Sequence, residues 1–155
     1  MLEIDFQDRQ TALQVDESRL KAAVERIALD HGFQTGEVGI VIVDDPAIHQ
    51  INREHLQHDY PTDVISFVFL AEHGELEGEI LVSADTAMRE AGEGGWGAED
   101  ELLLYVIHGM LHLVGLDDVQ PALRRQMRVA EKKYLAHFLV DQAQIAKMSA
   151  EQEDF

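Results

Sequence analysis

His108 and His112 stand four residues apart in the apolar run from Leu102 to Val114. Residues at i and i+4 share one face of a helix, so both imidazoles can point at a single ion. Gly115 follows three residues later, where a left-handed residue can end the helix and turn the chain back. Asp118 lies three residues beyond that and can close the site from the returning segment, with Asp117 beside it as a rival ligand. Two histidines and one carboxylate form a three-ligand set with an open position. At such a position a bound ion can activate water, so the set points to a metal-dependent hydrolase.

These residues need a scaffold, and the hydrophobic pattern supplies one. Leu2–Phe6 alternates as a short strand. Asp16 is a helix N-cap, followed by the apolar stripe Leu20, Ala23, Val24, Ile27 and Ala28 and a stop at His31-Gly32. Val38–Val43 is a β-branched run that reads as a buried strand, and Asp45-Pro46 opens a second helix with Ile48, Ile51 and His55 on its inner face. A loop over residues 58–63 leads to strands at Val64–Leu70 and Gly78–Ser83, with the acidic, glycine-containing stretch between them read as a hairpin loop. A short helix over Ala84–Glu90 and a flexible glycine-rich segment over residues 92–97 precede the helix that carries both histidines. That helix, Ala98–Val114, is apolar on nearly every side and is expected at the centre of the core. The last helix runs from Pro121 to Phe138 with Leu123, Met127, Ala130, Tyr134 and Phe138 as its core stripe. The expected fold is α+β: a small mixed sheet of about four strands packed against helices, zincin-like, with the metal-binding helix buried at its centre. Residues 1–140 form a single domain and 141–155 a polar C-terminal tail.

A chain of 155 residues is long enough for a substantial core without staples. It has no cysteine, which excludes disulfides, thiolate metal sites and a cysteine nucleophile. Met1–Asp5 shows no basic segment followed by an apolar run, and no stretch approaches the length of a membrane span, so a cytoplasmic location without membrane contact is expected. With 30 acidic residues against 12 basic ones the formal net charge is −18, which repels nucleic acid at long range. Any RNA contact then requires a local basic surface. Arg124, Arg125, Arg128, Lys132 and Lys133 hold five of the 12 basic residues. The 124/128/132 spacing makes Arg124, Arg128 and Lys132 a stripe opposite the helix core, the expected surface for RNA phosphates; a solvated helix face is the ordinary alternative. Residues 71–101 carry ten acidic side chains and only Arg89, and are left out of that footprint. Trp96, between glycines, reads as a plug at the core edge or a stacking platform for a base. His31, His49, His73 and His137 are isolated and are assigned no chemistry.

The spacing His-x3-His-x2-Gly-x2-Asp is similar to the extended zinc motif of metzincin peptidases. Those peptidases place a glutamate general base after the first histidine, where this chain has Gly109, so the peptidase reading loses weight. The run from His108 to Asp118, preceded by Asp59-Tyr60-Pro61-Thr62-Asp63-Val64-Ile65-Ser66-Phe67, resembles the YbeY family of rRNA maturation endoribonucleases. Ile51-Asn52 and Gly78-Glu79-Ile80 also match family landmarks, and the resemblance covers roughly residues 36–135. It implies one zinc ion held by His108, His112 and Asp118, with Asp117 behind them. It also implies a single-strand-specific RNase acting in 16S rRNA 3′-end maturation and ribosome quality control, with rRNA, the small ribosomal subunit and assembly proteins as partners. Thr62, Asp63 and Ser66 match a family segment and either line the cleft or organise a turn; no side chain stands out as acid or base. Two positions depart from the family pattern. Asp118 replaces a third histidine, which also opens the site to Fe(II) or Mn(II). Leu56 replaces an arginine associated with RNase activity, which favours an assembly factor with slight nuclease activity as the second reading.

Overall fold

The computed structural model describes residues 1–58, 62–94 and 96–138. The segment Asp59-Tyr60-Pro61, Gly95 and the tail from 139 onward, and with them the expected loop centre and the 141–155 boundary, lie outside the described residues. The elements follow in the order β1 (Leu2–Asp8), α1 (Glu17–Asp30), β2 (Thr35–Val43), α2 (Asp45–Leu56), β3 (Val64–Glu72), β4 (Glu75–Ser83), α3 (Ala84–Gly94), α4 (Ala98–Leu113) and α5 (Pro121–Phe138). The sheet order is β1-β2-β4-β3, with β1/β2 and β2/β4 parallel and β3/β4 antiparallel. This is the expected α+β fold with a four-stranded mixed sheet.

The β3–β4 connection is shorter than the sequence reading allowed. His73 and Gly74 form a two-residue turn with φ of 51° and 77°, both left-handed, as a type I′ hairpin requires. The acidic stretch expected to be loop is strand. Glu75, Glu77 and Glu79 alternate with Leu76, Gly78 and Ile80, so the carboxylates take one face of β4 while the others are buried. A register shift between Val68 and Leu70 marks a bulge near the edge, with Phe69 exposed. Helix α3 likewise runs to Gly94, through half of the segment expected to be flexible.

One face of the sheet carries the main core. Val38, Ile40 and Ile42 of β2 and Leu76, Ile80 and Val82 of β4 pack against the stripe of α1 and against α4, which is buried along Leu102, Leu103, Val106, Ile107, Met110 and Leu111. Helix α2 covers part of the other face through Ile48, over Val41, Val43, Ile65 and Leu81. The expected inner position His55 is exposed, meeting Phe67 only ring edge to face, and Asn52 is buried instead. Trp96 packs against the core edge and donates from Nε1 to Glu101 Oε1 at 3.1 Å, the plug of the two readings.

Two details hold α4 in register. Its C-terminus closes in a Schellman motif: Leu116 N–H donates to the Leu111 carbonyl at 2.9 Å and Gly115 N–H to the His112 carbonyl at 3.1 Å. Gly115 has φ of +108°, which an L-residue with a side chain rarely adopts. On the sheet side, a Cβ at Gly109 would lie 2.7 Å from Ile80 Cγ2 and 3.0 Å from both Ser66 Oγ and Val64 Cγ2. The helix therefore approaches the sheet closely at the residue following His108.

Candidate metal centre

The turn at Gly115 returns the chain so that Asp118 meets the histidines. His108 Nε2 lies 3.0 Å from His112 Nε2 and 3.5 Å from Asp118 Oδ2, and His112 Nε2 lies 3.7 Å from Asp118 Oδ1. Ligand atoms about 2.0–2.1 Å from a zinc ion in tetrahedral geometry sit about 3.3–3.4 Å apart. The three distances lie around that value, with each histidine facing a different oxygen of Asp118, so the donor set fits a small divalent ion. Asp117 takes no part in the triangle; its carboxylate accepts from the Asp118 backbone N–H at 2.7 Å and holds the turn.

Behind the ligands stands a residue that the sequence reading missed. Glu131 of α5 is 1% exposed, and its Oε2 faces His108 Nδ1 at 3.5 Å. A carboxylate on the far nitrogen fixes the tautomer that leaves Nε2 free for an ion. Arg128 NH1 donates to both Glu131 oxygens, at 2.6 and 3.2 Å, and so balances the buried charge. Burial alone would lower the proton affinity of His108. The bond and charge of Glu131, with the charges of Asp118 and Asp63, outweigh it and raise His108 above the ordinary histidine value. His112 is pushed below that value, by burial first and by His108 second.

This pairing corrects the reading of α5. Met127, Glu131, Tyr134 and Leu135 are its buried residues, while Leu123, Ala130 and Phe138 are only half-buried. Arg124, Arg128 and Lys132 are half-buried too and flank the core face rather than oppose it. Exposed Arg125, Val129 and Lys133 take the outer side. The sequence did hold a signal: Glu131 follows Met127 by one turn, a carboxylate inside an apolar stripe.

A cleft of about 630 Å³ opens on His108 and Asp118, with Thr62, Asp63, Arg89, Tyr105 and Arg128 also in its wall. Thr62 and Asp63 line it and also organise the turn. Asp63 Oδ1 accepts from the Val64 N–H at 2.8 Å and from Thr62 Oγ1 at 3.3 Å. Ser66 does not line it; its hydroxyl donates to the Gly109 carbonyl at 3.1 Å and ties β3 to α4. Arg89, set aside on sequence grounds, stands in the wall. Helix α3 brings it there from an otherwise acidic segment.

The Endoribonuclease YbeY family model matches residues 4–139. An Endoribonuclease YbeY of Rhodopirellula baltica is 50% identical over 113 residues, 72% of this chain and 58% of that protein's length. One of Chloroherpeton thalassium is 39% identical over 123 residues, covering 79% of this chain and 86% of its own. The solution structure of TM1509 from Thermotoga maritima superposes with a TM-score of 0.61 at 26% identity, covering 98% of this chain and 96% of that one. Among the described residues no helix is long and apolar enough to cross a membrane. With a family match over most of the chain and relatives of this identity and coverage, the chain belongs to the Endoribonuclease YbeY family.

Proposed function

We propose that this chain is a zinc-dependent, single-strand-specific endoribonuclease acting in the cytoplasm on 16S rRNA 3′ ends and in ribosome quality control, in contact with the small subunit and its assembly proteins. The observation that carries the reading is the His108–His112–Asp118 triangle, with His108 and Asp118 in the wall of an open cleft, in a chain of this family. A bound divalent ion would supply Lewis-acid chemistry there, activating water and polarising a phosphoryl oxygen. The protein's own residues do the positioning. Glu131 orients His108, Asp117 and Gly115 hold Asp118 in place, and Thr62 and Asp63 shape the wall along which a strand would lie. On α5, Arg124 and Lys132 are the proposed phosphate contacts, with Arg128 between them in the cleft wall and held by Glu131.

Gly109 disfavours a peptidase. The position that carries the glutamate base in metzincins faces the sheet here, with no room for a methyl group. A ribosome assembly factor with slight nuclease activity is the second reading, favoured by Leu56, exposed at the end of α2 in place of the family arginine.

The test is cleavage of an end-labelled single-stranded oligoribonucleotide by zinc-loaded protein, against the matching duplex and denatured casein. The expected result is cutting of the single strand alone, lost in His112→Ala and Asp118→Ala. Casein cleavage without RNA cleavage would overturn the reading in favour of a peptidase. Ribosome co-sedimentation without cleavage of any substrate would replace it with the assembly factor.

A further inference from the structure

Among the described residues, Arg89 and Arg128 are the two arginines in the cleft wall, and they are spent differently. Arg128 is 23% exposed and committed to Glu131, a carboxylate with almost no access to water. Arg89 is 54% exposed. NH1 donates to Asp45 Oδ2 at 3.1 Å and NH2 to Thr86 Oγ1 at 3.2 Å, leaving the other donors of the five-donor guanidinium fork for a ligand.

The base that holds Arg89 is built from two helix starts. Asp45 is the first residue of α2, and its Oδ1 accepts from Ser83 Oγ at 2.6 Å and Thr86 Oγ1 at 2.7 Å. Ser83 in turn accepts from the Thr86 N–H at 3.1 Å at the start of α3, and the Asp45 N–H donates to Asp85 Oδ2 at 2.8 Å. A carboxylate between two helix N-termini is already partly balanced by their dipoles and by two hydroxyls. It therefore fixes the guanidinium in place without fully consuming its charge. The need for that charge is plain from the surroundings: Asp63, Glu90, Glu101 and Asp118 share the cleft in a protein of formal charge −18. A phosphodiester entering this cleft meets carboxylates on most sides.

We propose that Arg89, positioned by Asp45, binds a phosphate of the RNA strand beside the metal centre. The proposal rests on the endoribonuclease reading and names a substrate-binding residue for it, on α3 rather than at the family's arginine position before the Asp59 segment.

The experiment is fluorescence anisotropy on the full, zinc-loaded chain with a fluorescein-labelled single-stranded oligoribonucleotide bearing 2′-O-methyl sugars, titrated at several salt concentrations, with a gel to confirm that it stays intact. Arg89→Ala is expected to weaken binding on the order of 5- to 20-fold and to lower the slope of log affinity against log salt by about 0.7, the share of one phosphate contact on a single strand. Arg89→Lys keeps the charge without the fork and should fall between. Lys21→Ala removes one charge outside the cleft and should leave the affinity within about twofold and the slope unchanged. Asp45→Asn should weaken binding in the parent chain and add nothing in the Arg89→Ala background, which a purely structural Asp45 would not do. Arg89→Ala with the affinity and slope of Lys21→Ala would overturn the Arg89 assignment alone. Absence of binding by the parent chain would overturn the RNA reading and Arg89 with it.

Discussion

Glu131→Gln probes what the buried carboxylate does for the metal centre, because it keeps size and shape while removing the charge and turning one acceptor oxygen into a donor NH2. Two costs follow. The first falls on the apoprotein: Arg128 loses the counter-charge that it meets at 2.6 and 3.2 Å. Removing a partner from a fully buried pair costs about 3–5 kcal/mol. Arg128 retains 23% exposure and the amide still accepts one bond, so a cost of roughly 1–3 kcal/mol is expected. The second cost falls on the ion. Loss of a carboxylate that orients a metal-ligating histidine lowers affinity about 10- to 100-fold. With zinc at 100 times the parent's dissociation constant, binding stabilises the parent by about 2.7 kcal/mol; the variant would gain about 1.4 kcal/mol for a tenfold loss and about 0.4 for a hundredfold loss. Urea denaturation with and without zinc, beside competition against a chromophoric chelator, reads both terms. If Glu131→Gln shows the parent's zinc affinity and the parent's zinc-induced stabilisation, Glu131 does not orient His108 and the account of the site behind its ligands is wrong.

Two further perturbations bear on the scaffold. Gly109→Ala forces a methyl to 2.7 Å from Ile80 Cγ2 and should cost about 1–3 kcal/mol of overpacking, read as a lower urea midpoint, with zinc affinity reduced as α4 shifts from the sheet; unchanged stability would mean that the helix–sheet approach is not tight. Burial disfavours the charge of Asp45, but bonds from Ser83, Thr86 and Arg89 outweigh it and hold its carboxyl below 3.8. A group with a depressed folded-state value stabilises fully above its unfolded value and loses that contribution as pH falls through the folded value. Asp45→Asn should therefore cost on the order of 1 kcal/mol at pH 7. The gap from the parent should close below pH 3.8; a gap that stays constant down to pH 3 would refute the linkage.

The ligand triangle was legible because its spacing is local. Four residues of helix set His108 beside His112, and one glycine sets the return of Asp118. Helix α1 was legible for the same reason, from its cap at Asp16 and its stripe, and α4 from its apolar run. What escaped was decided by tertiary packing. The acidic stretch before Gly78 looks like loop by composition and is strand because alternate carboxylates fall on the face that α2 leaves open. Glu131 and Asp45 are two carboxylates among 30, and nothing local says which ones are buried against a histidine or an arginine. Arg89 was excluded by the average charge of its segment, whereas the cleft is set by where α3 points one side chain.

The position of Gly109 explains why the site must be composite. In a helix bearing two ligands at i and i+4, the residue after the first ligand is a natural place for a base. Here it lies against β3 and β4 so closely that Ser66 reaches its carbonyl, and even a methyl group would force its neighbours to shift. Moving α4 away to make room would open the core along Ile107, Met110 and Leu111, which destabilises the fold. The other polar groups of the cleft then come from other elements: Thr62 and Asp63 before β3, Arg89 on α3, Arg128 and Glu131 on α5. A motif confined to residues 108–118 therefore supplies the candidate ligands, while the rest of the cleft wall comes from three segments that only the fold brings together.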